Sequence, residues 1–200
     1  MTNPACFPVR MTFPDDSTGP GVDSSSRDRL LDAAIEIAGR EGLRAVTYRA
    51  VAAKAGVAHG LVRHHFGTRE QMLIEAFRRA ASQDSDEVKL EAASIEEFAS
   101  GFVPTMNATG PRQLLQFDET TQAVRGNLPV DNVRGLYVRY IAQVSQTLAN
   151  VGVRDEDGSV AGFVFATLDG LVLQHMVFRD DARTERLLEQ LRDCLRRLAH

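Results

Sequence analysis

Leu30, Leu31, Ala34, Ile35 and Ala38 recur at the three- and four-residue spacing that places side chains on one face of a helix. Ser24, Ser25 and Ser26 offer N-caps in front of this stripe, and Gly42 stops it. Two short clusters follow, Val51-Ala52 with Ala55, and Leu61 or Val62 with Phe66. Each predicts a helix of about two turns. Longer helices are predicted near 69–90, 95–107, 111–124, 130–151, 157–178 and 181–199. The breaks fall at Gly110-Pro111, at Gly126 to Pro129, between Gly152 and Gly158, and at Arg179 to Asp181. No segment sustains a two-residue alternation, so the expected fold class is all-α, with about nine helices. Residues 1–24 hold four prolines and no periodicity and are read as a disordered arm. The remainder divides into a three-helix unit over 25–72 and a larger helical unit over 73–200.

Charge sharpens this division. The net charge of the 200 residues is -4, which by itself argues against a polyanionic partner. From Arg27 to Ala80, however, ten Arg and Lys face six Asp and Glu, whereas the chain beyond Ala80 carries twelve basic and eighteen acidic residues. A basic front unit on an acidic body is expected when only one domain meets phosphate. Cys6 and Cys194 are far apart and form no zinc or disulfide spacing. No apolar run is read as approaching the ~20 residues that cross a bilayer, and the N-terminus has no basic flank before an apolar stretch. The expected location is the cytoplasm, with no membrane partner.

The informative stretch is Thr47 to Phe66. Thr47 can cap a short helix. Ala52 supplies the small side chain needed where two helices cross closely, Gly56 takes a turn with φ > 0, and Val62 locks the second helix on the first from inside. The outer side of that second helix is then Ala58, His59, Gly60, Arg63 and His64. Such small and cationic residues let a helix approach the major groove. Thr47 and Arg49 in front of it, and Thr68 and Arg69 behind it, stand at helix starts where a hydroxyl, a guanidinium and free amides can hold phosphate. His59, His64 and His65 are five, six and one residues apart, so they do not share a face as metal ligands would. No metal site, cofactor or catalytic set is expected. Asp118-Glu119 reads as a solvated acidic pair, and Lys54 reads equally well as a solvated or a DNA-facing residue.

The segment from Ala45 to Leu73 resembles the DNA-binding signature of the TetR family. The match runs through Thr47, Arg49, Val51, Ala52, Ala55, Gly56, Val57, Ala58, Gly60, Val62, His65, Phe66, Thr68, Arg69 and Leu73. Ala58 stands where the family often has a capping Ser, and Arg63 replaces an aromatic residue that commonly touches phosphate. The resemblance implies a homodimeric transcriptional regulator, most simply a repressor, that binds a palindromic operator and is released by a small-molecule effector. An activator of the same fold, or a helical interaction module, is the alternative.

The apolar pattern of the rear unit fits this implication. The helix near 157–178 is apolar all round and must be covered on every side. Together with the last helix it forms the expected dimer interface, through Phe165, Leu168, Val172, His175, Leu188, Leu191 and Leu195. The plain alternative is that these helices complete a monomeric core. For an effector pocket the candidates are Phe102, Met106, Phe117, Tyr137, Tyr140 and Phe163 as apolar lining. Asn107, Gln116, Gln143 and Thr167 are the candidates to orient a ligand.

Overall fold

A computed structural model describes the chain at residues 23–87 and 91–199. The expected arm therefore lies outside the described residues except for Asp23 and Ser24, which begin the first helix. Eight α-helices follow one another and no strand occurs among the described residues: α1 (Asp23–Glu41), α2 (Tyr48–Ala55), α3 (His59–Phe66), α4 (Arg69–Glu87), α5 (Phe102–Val124), α6 (Val130–Asn150), α7 (Ser159–Phe178) and α8 (Asp181–Leu198). A 3-10 turn at Leu43–Ala45 links α1 to α2. The all-α class is as expected; the count is one helix fewer than nine, for a reason that lies in α5.

Two hydrophobic cores hold the helices. The first gathers the inner faces of α1 to α4, with Leu30, Val51, Val62, Phe66, Met72 and Phe77 among its members. It runs along α4 as far as Ala80, past the expected limit at residue 72, and Leu115 of α5 completes it. Ion pairs tie its outer edge. Arg79 of α4 reaches Asp28 at 3.0 Å and Asp32 at 2.7 Å on α1, and Arg27 pairs with Glu75 while lying over the Phe66 ring. The second core packs Phe98, Phe102, Met106, Val144, Leu148, Val164, Leu188 and Leu195 between α5, α6, α7 and α8.

Two sequence expectations fail between residues 95 and 124. Gly110-Pro111 does not end a helix; Pro111 sits inside α5. Its ring cannot donate to the Asn107 carbonyl four residues back, at a typical cost of about 3 kcal/mol in a helix interior. Burial on both sides offsets this, since α5 sends Met106 into the second core and Leu115 into the first. Pro111 is also the point where α5 meets α1. A methyl group placed on Gly39 would lie 2.1 Å from the Pro111 carbonyl oxygen. Conversely, the helix expected over 95–107 starts only at Phe102. The preceding residues form three-residue turns, such as Phe98 N–H to the Ile95 carbonyl at 3.2 Å. Ala99 is left-handed there (φ 56°), a conformation a helix cannot absorb. Arg192 of α8 holds this segment by donating to the Phe98 carbonyl at 2.9 Å.

The third departure concerns α7. Its 20 residues have a mean hydropathy of 1.5, so by length and composition it could cross a bilayer, contrary to the reading that no run approaches this length. Its apolarity has a local cause: one side builds the second core and a cavity, and the other carries exposed apolar residues.

Candidate functional site

The front of the molecule is a helix-turn-helix. The Thr47 hydroxyl accepts from the Ala50 amide at 3.1 Å and starts α2. Gly56 ends it in the left-handed region (φ 66°, ψ 37°) with its amide turned back to the Ala52 and Ala53 carbonyls. That bend, together with buried Ala52, lets α3 cross α2, with Val62 fully buried beneath it. Ala58 stands at the N-cap of α3 in extended geometry and provides no side-chain cap bond. No side-chain oxygen therefore caps the start of α3, where the Leu61 amide donates to the Ala58 carbonyl at 3.0 Å. His59, Gly60, Arg63 and His64 are all exposed on this helix, as are Thr47, Arg49, Ala58 and Thr68 around it. No salt bridge of Arg49 or Arg63 occurs among the described residues. An exposed row of this kind is the electrostatic footprint of a phosphate-binding surface.

Arg69 differs from the other candidates. Its Nε donates to the Val46 carbonyl at 2.7 Å and its second amino group to the Leu43 carbonyl. Those bonds close the end of the 3-10 turn and anchor α4 to it, so its guanidinium is already engaged inside the protein. Lys54, left open by the sequence, pairs with Glu36 at 2.7 Å. Tyr48 is a contributor the sequence reading missed. Its hydroxyl donates to the Gly67 carbonyl at 2.8 Å, and its ring meets that of His59 edge-on. Tyr48 thus fixes both ends of α3, and its signal was only its place beside the capping Thr47.

A second site lies between α5, α6 and α7. It is a partly open cavity of about 70 Å³. Phe102, Met106, Gln116, Phe117, Tyr137 and Tyr140 line it, as six of the ten ligand candidates. Phe165, Leu168 and Val172, expected at a dimer interface, line it too, with Gln113, Thr120, Leu136 and Asp169. Phe165 stacks near-parallel on Tyr140 (5.7 Å between centroids) and edge-on to Tyr137 (5.1 Å). The other four ligand candidates lie elsewhere. The Asn107 amide oxygen accepts from His175 Nε2 at 3.0 Å, and its amide nitrogen donates to Asp181. The Thr167 hydroxyl donates to its own helix at the Phe163 carbonyl, Phe163 is 56% exposed, and Gln143 is not part of the lining.

Two carboxyl groups, one on α5 and one on α7, are perturbed. Glu119 is buried, not solvated as its sequence neighbourhood suggested, and burial pushes it up to about 7 against a lowering influence of Arg78. Asp169 is pushed above the ordinary carboxylate range by burial, which a hydrogen bond from Tyr137 partly opposes.

The structure also redistributes the dimer candidates. Leu188, Leu191, Leu195 and His175 are buried within the chain and have no surface to offer a second copy. His175 is held by Thr184 at 2.9 Å. The exposed side of α7 carries instead Phe163, Ala166, Leu173 and Val177 at alternating three- and four-residue spacing around Gly170. On α8, Cys194 and Leu198 are exposed.

Comparison with known proteins gives this arrangement its setting. Residues 30–76 match the model described as bacterial regulatory proteins, tetR family. The HTH-type transcriptional regulator BetI of Rhizobium meliloti is 41% identical over 58 residues, covering 29% of each chain. The HTH-type transcriptional repressor KstR2 of Mycolicibacterium smegmatis is 41% identical over 59 residues, or 30% of this chain and 29% of that one. The chain thus spans less than a third of the length of these two relatives. BetI of Agrobacterium fabrum is 26% identical over 78% of this chain and 79% of its own. Among solved structures, a putative transcriptional regulator from Saccharomonospora viridis in complex with choline superposes with a TM-score of 0.67 at 22% identity, over 85% of this chain and 95% of that one. The multidrug binding protein EbrR complexed with ethidium superposes with a TM-score of 0.58 at 25% identity, over 88% and 99%. Residues 30–76 thus carry the helix-turn-helix of the tetR family, and the chain as a whole is similar in sequence and fold to transcriptional regulators of that kind.

Proposed function

We propose that the protein is a homodimeric repressor that holds a palindromic operator through α3 and lets it go when a small molecule fills the cavity between α5, α6 and α7. The observation that carries the DNA half is the exposed outer row of α3, His59, Gly60, Arg63 and His64, backed by exposed Arg49 and Thr47. Arg63 stands at a position suited to phosphate or guanine, Gly60 and Ala58 allow close backbone approach, and the first-turn amides of α3 favour an anion. Arg69 supports the surface without touching DNA. Pairing through the exposed stripe of α7 and the outer side of α8 buries apolar side chains that the single chain leaves in water, and builds a four-helix bundle across a twofold axis. This reading replaces Leu188, Leu191 and Leu195 in the interface with Phe163, Leu173 and Val177. A regulator of operator DNA works in the cytoplasm.

The effector half rests on α5. It carries Gln116 and Phe117 in the cavity lining and Leu115 in the DNA-binding core. A ligand that binds better to one tilt of α4 and α5 changes the spacing of the two reading heads and so the operator affinity. Activation instead of repression by the same dimer remains the alternative, decided by where the operator lies relative to the promoter.

Selection of bound sequences from random duplex DNA tests the proposal. The expected product is an inverted repeat with half-sites about one helical turn apart or slightly more. Combined Arg63→Ala and His59→Ala substitution should abolish enrichment while leaving a folded dimer in solution, and should flatten the salt dependence of residual binding. Enrichment of no sequence by the unsubstituted protein at modest ionic strength would refute it.

A further inference from the structure

We propose that the cavity takes a small organic monocation, with Asp169 as its counter-charge and the rings of Tyr137, Tyr140, Phe117 and Phe165 around its apolar body. This deepens the reading of the cavity as the effector site and rests on it.

Asp169 sits near the middle of α7, an otherwise apolar helix of 20 residues. Among the described residues that line the cavity it is the one formal charge. Its bonding is thin for a half-buried carboxylate. The Tyr137 hydroxyl donates to Oδ2 across 3.4 Å, at the long end of the hydrogen-bond range, and the same hydroxyl is engaged with Thr120. Charge taken out of water without a counter-ion is unfavourable, and the raised pKa of Asp169 reflects this in the free protein. The raised pKa of Tyr137 has the same origin, burial first and the Asp169 charge second.

The rings supply the complementary half. Phe165 is sandwiched between Tyr140, stacked at 18°, and Tyr137, edge-on at 71°. These rings line the same cavity as Asp169, and ring faces attract organic cations by their quadrupole. A neutral apolar guest would leave the carboxylate uncompensated, and an anion would be repelled by it.

The test compares choline with 3,3-dimethylbutan-1-ol, which replaces the cationic nitrogen by carbon at nearly constant shape. Calorimetric titration of the full chain at neutral pH should show choline binding at least about tenfold tighter than the alcohol. Asp169→Asn, which keeps an acceptor for Tyr137, should remove most of that advantage and leave alcohol binding almost unchanged. Val172→Phe, which fills the cavity from α7, should weaken both. A melting curve establishes that each variant is folded. Equal or tighter binding of the alcohol, or choline affinity unaltered in Asp169→Asn, would overturn the cation assignment while the effector reading survives through the Val172→Phe result. Choline binding untouched by both substitutions would place the ligand outside the cavity and sink both readings. Binding of neither probe at millimolar concentration overturns the cation assignment; the effector reading then turns on whether an uncharged ligand of the cavity alters operator affinity.

Discussion

Gly39→Ala adds one methyl group at the crossing of α1 and α5, and the structure gives the sign of its effect. An ideal Cβ there would lie 2.1 Å from the Pro111 carbonyl oxygen, 2.5 Å from its Cα and 2.6 Å from its carbonyl carbon. All three are backbone atoms, so no side-chain rotation relieves the contact. Ordinary van der Waals contact begins near 3.4 Å, so the two helices must part locally by about an ångström at a point that is otherwise closely packed. Overpacking of this kind costs about 1–3 kcal/mol. Against it stands the intrinsic preference for Ala over Gly inside a helix, about 1 kcal/mol. The net expectation is a loss of up to about 2 kcal/mol, or a fall of up to roughly 8 °C in melting temperature for a chain of this size. Gly135→Ala is the matched control: Gly135 lies in α6, exposed, and a methyl group added there would meet nothing within 4 Å, so this variant should gain up to about 1 kcal/mol. Thermal or denaturant unfolding of both variants reads the contrast. Equal stabilisation by the two substitutions would refute the close crossing, and with it the direct mechanical link between the DNA-binding helices and α5. Because neither glycine touches the DNA face, a shift in operator affinity confined to Gly39→Ala would report on that link.

Glu119 gives a pH test. Its folded pKa of about 7 lies above the ordinary 4.5, so the folded chain holds a proton that the unfolded chain has already released. Stability should therefore fall as pH rises from about 4.5 to about 7 and level off above, by up to about 3 kcal/mol. Glu119→Gln should remove that slope, visible as a larger gain over the parent at pH 8 than at pH 5; an equal difference at the two would count against a buried, proton-retaining carboxyl. Arg69→Ala separates a structural arginine from a DNA contact. Loss of its bonds to the Leu43 and Val46 carbonyls should cost about 1–3 kcal/mol of stability, while the salt slope of operator binding by the folded fraction stays as in the parent. A slope reduced by about one would instead assign Arg69 to a phosphate.

Much of the DNA-binding half was legible because its signals are local. A capping Thr47, a small Ala52 and a positive-φ Gly56 act on neighbours a few residues away, and an exposed row on α3 follows from the burial of Val62 and Phe66. Arg69 shows where that legibility ends, since its carbonyl partners lie more than twenty residues back. In the rear half periodicity identified helical faces but not what each face meets. Leu188, Leu191 and Leu195 form a stripe equally suited to a dimer or to the chain's own core, and the core has them. Phe163, Leu173 and Val177 interrupt an apolar helix without any polar contrast, so their exposure was invisible. Gly110-Pro111 looks like a break in any single-segment reading; it survives inside α5 because burial in two cores and a glycine on α1 make room for it. Asp169 was overlooked although a lone acid inside a long apolar run is itself a signal.

The placement of α5 makes the joint between the two halves specific. Within three consecutive residues the helix turns Leu115 into the first core and Gln116 and Phe117 into the cavity. Four residues before Leu115, Pro111 removes one backbone bond of α5 at the point where α1 presses against it. The helix is therefore weakened where the DNA-binding unit is attached and stiff on either side, with Met106 anchored behind and Leu115 ahead. A guest that pushes on Phe117 cannot move it without moving Leu115, since both belong to one helical turn. The N-terminal core must follow as a unit, because Arg79, Asp28 and Asp32 clamp α4 to α1. Under the proposed effector reading, a rotation about the Gly39–Pro111 contact would swing α3 with the N-terminal core in each half of the proposed dimer and so change the distance between the two reading heads.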